Sequence, residues 1–240
     1  NINKNDLYFS IYTIENNIWR KVNVYKCSFG ETIELSRDKI SLDDERLLIA
    51  VPSIDKNNLE ECTELPKPYS NRLDKSGIAE RASLNFKIDN SCASYQGEYP
   101  YKMTTLEKGT FSTFDNLRLD IDNLSKTFLL TMNINRYPTK RGPNLVEIYD
   151  PETNETTQNF IIESNSFKSN VLEKTNFSYS SQSLRVISCH TSVFIPLFLS
   201  CKIHDNLVNI TVEHTHPPGS FFWGEKLEAR KIIKQNWVKR

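Results

Sequence analysis

Glycine is scarce in this chain, with 7 in 240 residues. Turns that need positive φ must therefore come largely from Asn and Asp, which tolerate the left-handed region better than other residues carrying a Cβ. Cysteine is sparse and unpatterned. The five, Cys27, Cys62, Cys92, Cys189 and Cys201, are an odd number without a Cys-x-x-Cys pair, which argues against a zinc ribbon or a dense disulfide framework. Reduced, structural thiols are the expectation, and with them a soluble chain and a cytoplasmic compartment. Net charge is missing as well. Lys+Arg and Asp+Glu both number 30, so the positive excess that generic nucleic-acid or acidic-membrane binding needs is absent, and no nucleic-acid partner is expected. No apolar run approaches the roughly 18–20 residues of a membrane span. The longest, Val193 to Leu199, is of strand length and holds Pro196, so no transmembrane segment is expected. There is no P-loop, dinucleotide fingerprint, Gly-x-Ser-x-Gly elbow or His-Glu-x-x-His. Four Asn-x-Ser/Thr sequons, at Asn123, Asn154, Asn176 and Asn209, are what 24 Asn residues supply by chance and do not indicate glycosylation. The first residue is Asn1 rather than Met, which fits a removed initiator, a cleaved signal peptide or a fragment boundary alike.

What the chain does have is short runs of alternating or continuous apolar residues separated by polar turns. LYFSIYTI, then ENN, then IWRKVNVYKCSF reads as a hairpin with Trp19 near its turn. GETIELS and the Leu47–Val51 run read as further short strands. Residues 64–77, with two prolines, one glycine and mixed charges, form the best linker or long-loop candidate. Beyond it come RASLNFKI, SYQGEYPYKM, GTFSTF, LRLDI, KTFLLTMNI, NLVEIYD, QNFIIES, SLRVISC and a hairpin over 193–216. Convincing helical periods are missing between them, which argues against βαβ units. The expected fold is all-β, an antiparallel β-sandwich or jelly-roll-like barrel. It divides into a small β-rich part over 1–63, the linker 64–77 and a main domain over 78–240. Over 225–240, Leu227, Ala229, Ile232, Ile233 and Trp237 form an apolar stripe at helical spacing, with Glu225 and Glu228 near the start and Lys239 and Arg240 at the end. Those charges suit the helix dipole, so a C-terminal α-helix is expected.

The stretch 193–216, VFIPLFLSCKIHDNLVNITVEHTH, carries the one hint of chemistry. Asp205-Asn206 suits a two-residue turn. Ile203 then opposes Val208, Cys201 opposes Ile210, Leu199 opposes Val212, Leu197 opposes His214 and Ile195 opposes His216. His214 and His216 thus continue the aliphatic parity of the hairpin. Cys201 lies roughly 13 Å from that end at about 3.3 Å per residue, and His204 sits by the turn, so neither joins the pair. Two histidines at i, i+2 on a strand can chelate one divalent transition metal, zinc or iron, with His190 as a third ligand. His-x-His on a strand is similar to the cupin pattern, and that resemblance implies a metal-dependent barrel enzyme. It covers the tripeptide alone: the expected glycine position holds Val208, and the expected glutamate positions hold Ser220 and Phe221. The alternative is that both imidazoles hydrogen-bond at the edge of a core.

SYQGEYPYKM places Tyr95, Gly97, Tyr99, Tyr101 and Met103 on one parity. Exposed, this stripe would be a stacking platform for sugars; buried, it would fill the core. Phe222 and Trp223 follow the histidines and would join a contact surface there. RYPTKRGPN gathers Arg136, Lys140 and Arg141 in a Pro/Gly turn, an exposed loop by default. Two function classes follow. One is a non-catalytic binding or interaction module for a small molecule, glycan or protein, contacting it through Tyr95, Tyr99, Tyr101, Phe222 and Trp223. The other is a metal-dependent enzyme on His214 and His216.

Overall fold

The computed structural model describes residues 6–40, 46–54, 56, 60–69, 83–96, 104, 110–115, 125–140, 142–150, 155–172, 184–189, 197–204 and 207–214. Among them the chain is built of antiparallel β-sheets, with one four-residue helix. The chain divides into two compact units. The first comprises residues 1–81 together with 135–141; the second comprises 82–134 and 142–240.

In the first unit β1 (Leu7–Glu15) and β2 (Ile18–Cys27) form the expected hairpin. Its turn residues Asn16 and Asn17 have φ of 51° and 63°, the primed-turn geometry that matches strand twist. A bulge interrupts the ladder between Ile11 and Tyr12. β3 (Ile49–Ser53) adds to β1 and β4 (Glu61–Cys62) to β2, giving the order β3-β1-β2-β4. GETIELS is not a strand. At its start the Glu31 amide donates to the Ser28 carbonyl at 3.0 Å and the Glu31 carboxylate accepts from the Ser28 amide at 3.1 Å, a local turn in place of a ladder, and the segment runs on into the single-turn helix α1 (Arg37–Ile40).

Tyr12, Trp19, Val51 and Leu65 form the core of this unit, with Ile14, Ile49 and Cys62 packed against it. Burying an indole leaves its N–H to be satisfied. Trp19 Nε1 donates to the Arg136 carbonyl at 2.7 Å, and the Leu65 amide donates to the same oxygen at 2.8 Å. The Arg136 guanidinium pairs with Glu64 at 3.3 Å. The 135–141 excursion between two later strands is therefore a built part of this unit. Its Arg136 is largely buried and already engaged by a carboxylate, and Pro138 is buried.

In the second unit β7 (Thr110–Asp115), β9 (Asn144–Asp150), β10 (Glu155–Ile162) and β12 (Leu184–Cys189) form a sheet of order β10-β9-β12-β7. β8 (Ser125–Asn133), β11 (Ser166–Val171), β13 (Leu197–His204) and β14 (Leu207–His214) form another, of order β11-β8-β13-β14. One buried cluster draws on both sheets. It takes Val146, Ile148, Phe160 and Ile162 from the first, Leu129 and Phe198 from the second, and Leu172 after β11. The edge strands β10 and β11 are consecutive in sequence, one in each sheet. Gln158 Nε2 donates to the Val171 carbonyl at 2.8 Å and Lys168 Nζ to that of Ile161 at 3.2 Å. Side chains thus occupy backbone acceptors on both edges, one way to discourage edge-to-edge pairing.

A third pair, β5 (Ser83–Ile88) and β6 (Ser91–Gln96), turns at Asp89 with φ of 50°. β6 stands beside β14, where Ser91 Oγ donates to the Val208 carbonyl. The described non-glycine residues with positive φ are Asn16, Asn17, Asp89 and Asn165. Asn and Asp therefore do the work that the shortage of glycine assigns to them.

Candidate functional site

β13 and β14 pair in the register that their alternation dictates. Ile203 opposes Val208, Cys201 opposes Ile210, Leu199 opposes Val212 and Leu197 opposes His214. His214 is the last residue of β14, at a register position on the aliphatic parity. His190, His216, Tyr99, Tyr101, Phe222, Trp223 and the helix expected over 225–240 lie outside the described residues. Tyr95 is 8% exposed, and burial raises its hydroxyl pKa above the usual phenol value. A ring so enclosed is a packing element of the β5–β6 hairpin and offers little stacking face.

The sheet that carries the histidine strand buries apolar residues on both sides, and the two sides differ in how many. Directly opposed residues share a face. Phe198 of β13 opposes Leu129 of β8, and both enter the core shared with the other sheet. The rest of this inner face is largely polar, and Asn170, opposite Leu129, keeps a buried Nδ2 without a hydrogen-bond partner. Thr127 and Ser200 share a hydroxyl hydrogen bond at 3.0 Å, and Thr131 Oγ1 donates to the Lys168 carbonyl at 3.3 Å. Buried Asn133 donates through Nδ2 to Gly142 at 3.2 Å and Ile162 at 3.3 Å. Leucines and valines instead fill the outer face. Leu197 and Leu199 of β13 oppose Leu130 and Phe128 of β8, while Val212 and Ile210 flank them on β14. On the far side, Phe167 and Val171 of β11 oppose Met132 and Phe128.

Burial on the outer face is graded. Leu197 and Ile210 are 3% and 5% exposed; Phe167 and Val171 are 47% and 41% exposed. Leu199, Cys201, Val208, Val212, Phe128, Leu130 and Met132 are half-buried. Cys201 lies on this outer parity, and burial pushes its thiol pKa up. It is neutral near pH 7, hence a poor nucleophile or metal ligand there. Cys27, Cys62, Cys92 and Cys201 are all free. Among the described residues no three His, Cys, Asp or Glu side chains gather closely enough to hold a metal ion. None of the described helical residues forms a helix long and apolar enough to cross a membrane.

Sequence reasoning missed β11. SFKSNV has two apolar residues in six and no alternation. The available signal was that Phe167 and Val171 share a parity.

No family model, curated protein or solved structure matches the chain.

Proposed function

We propose that this chain is a non-catalytic β-sandwich binding or interaction module whose partner is a protein or a glycan. The observation that carries this reading is the open part of the outer face, where Phe167 and Val171 stand exposed beside Met132 and Phe128. Apolar side chains grouped on a folded surface mark contact sites. The core fed by both sheets supports an antiparallel sandwich or jelly-roll-like barrel, and the stripe over 225–240 supports a closing helix. The segment from His214 to Trp223 leaves β14, so Phe222 and Trp223 would extend the contact surface. Tyr99 and Tyr101 would add stacking faces for a sugar, with Tyr95 as their packed support. Four free cysteines favour a reducing, cytoplasmic setting for a soluble protein.

A second reading is a metal-dependent enzyme holding zinc or iron through His214, His216 and His190. The register position of His214 at the end of β14 favours it, because i, i+2 histidines on a strand can chelate. Elemental analysis of the purified chain beside a His214→Ala/His216→Ala variant separates the two. A metal-free protein whose double variant stays folded supports the module. Stoichiometric transition metal lost in the variant overturns it. A Phe167→Ser/Val171→Ser variant should then lose partner binding while keeping its unfolding transition.

A further inference from the structure

Open edge strands are usually blunted, because their free N–H and C=O groups template further pairing. β10 and β11 follow that rule, with side chains on their edge carbonyls. β5 does not. It pairs with β6 on one side, and no described strand pairs with its other side. Ser83, Leu84, Asn85, Lys87 and Ile88 are exposed and Phe86 is half-buried. The two-residue turn at Asp89 and Asn90 makes Ile88 and Ser91 a hydrogen-bonded pair. Bonding alternates from there, so Phe86 and Leu84 also turn their backbone groups to β6, whereas Asn85 and Lys87 turn theirs outward. Among the described residues none bonds those outward groups.

We propose that this edge takes a second copy of the chain, β5 pairing antiparallel with β5 about a two-fold axis at Phe86. In that register Asn85 of one copy opposes Lys87 of the other, and each brings an outward donor and an outward acceptor, so both bonds of the pair form. On one face Leu84 meets Ile88 and Phe86 meets Phe86. That closes an apolar strip whose ends, Leu84 and Ile88, stand 47% and 37% exposed in the single chain. On the other face Asn85 meets Lys87, with no like charges opposed. Neighbouring two-fold registers are poorer. An axis at Lys87 sets two ammonium groups face to face, and an axis at Asn85 moves Ile88 past the end of the facing strand. The contact is isologous and consumes the β5 edge of both copies, so it closes at two chains.

Light scattering of the full chain over a dilution series reads the association. Mass should climb from one chain toward two as concentration rises. Lys87→Pro removes an outward N–H that β6 does not use, so the hairpin keeps its ladder while the dissociation constant rises by about tenfold or more. Phe167→Ser/Val171→Ser should leave the mass curve unchanged, which separates this edge from the β11 contact face. Cross-linking tests the register without proline. In a Cys92→Ser background, which removes an exposed thiol, Phe86→Cys should form an interchain disulfide on mild oxidation. Opposed residues of a non-hydrogen-bonded pair have Cα atoms about 4.5 Å apart, within disulfide reach. Lys87→Cys in the same background should not link, because each copy faces Asn85. A one-chain mass at the highest soluble concentration overturns the proposal. So does a dimer unchanged in folded Lys87→Pro, a dimer lost in Phe167→Ser/Val171→Ser, or equal cross-linking of the Phe86→Cys and Lys87→Cys chains.

Discussion

The two faces of the β11-β8-β13-β14 sheet obey different rules. The inner face has few large apolar groups, chiefly Leu129 and Phe198, set among polar side chains of which Thr127, Ser200, Thr131 and Asn133 are hydrogen-bonded. The outer face is richer in aliphatic and aromatic residues yet ranges from closed to open. Apolar content therefore does not tell which side of a sheet meets the other sheet. Apposition does: Leu129 and Phe198 lie against Val146, Ile148 and Phe160, whereas the outer leucines have no such partners in that cluster.

This contrast is easiest to break with neighbours in sequence. Phe198→Ala should cost about 3–5 kcal/mol of unfolding free energy, as large-to-small changes in a closed core do, and urea unfolding reads it. Asn133→Ala should cost about 1–3 kcal/mol, because the carbonyls of Gly142 and Ile162 lose their buried donor. Leu199→Ala, one residue from Phe198 but half-buried on the outer face, should cost about 1–2 kcal/mol by the same assay. Equal costs for Phe198→Ala and Leu199→Ala would erase the distinction between the faces. The smallest effect is a pH slope. Burial raises the Cys201 thiol above its ordinary value of 9.0, so folding favours the neutral thiol. That contribution is complete below pH 9 and is lost as pH rises through the folded-state value. Cys201→Ala should flatten the alkaline loss of stability, measured by unfolding midpoints across that range.

Much of this architecture was legible in the residues. The β13–β14 hairpin gave its register from Leu197 to His214 because both of its parities alternate, and β1–β2 announced itself through apolar runs around Asn16-Asn17. Three things were not legible. β11 hides in SFKSNV because an edge strand with polar side chains on one side needs few apolar residues. GETIELS alternates like a strand but pairs with none of the described strands. The Arg136 loop reads as an exposed basic turn, yet its carbonyl takes two hydrogen bonds and its guanidinium meets Glu64. Local pattern reports periodicity; it does not report which distant backbone group a buried indole will need. The same limit applies to the candidate site. The sequence placed His214 on the aliphatic parity correctly, but only cross-sheet packing shows that this parity faces away from the shared core.

The contact-face account is tested most directly by a fluorescent apolar dye added to the native chain and to Phe167→Ser/Val171→Ser. Dye binding should fall in the variant while the unfolding midpoint stays within about 0.5 kcal/mol of the parent, as for surface substitutions. Unchanged dye binding, or a loss of stability like that of Phe198→Ala, would contradict an open contact face on β11.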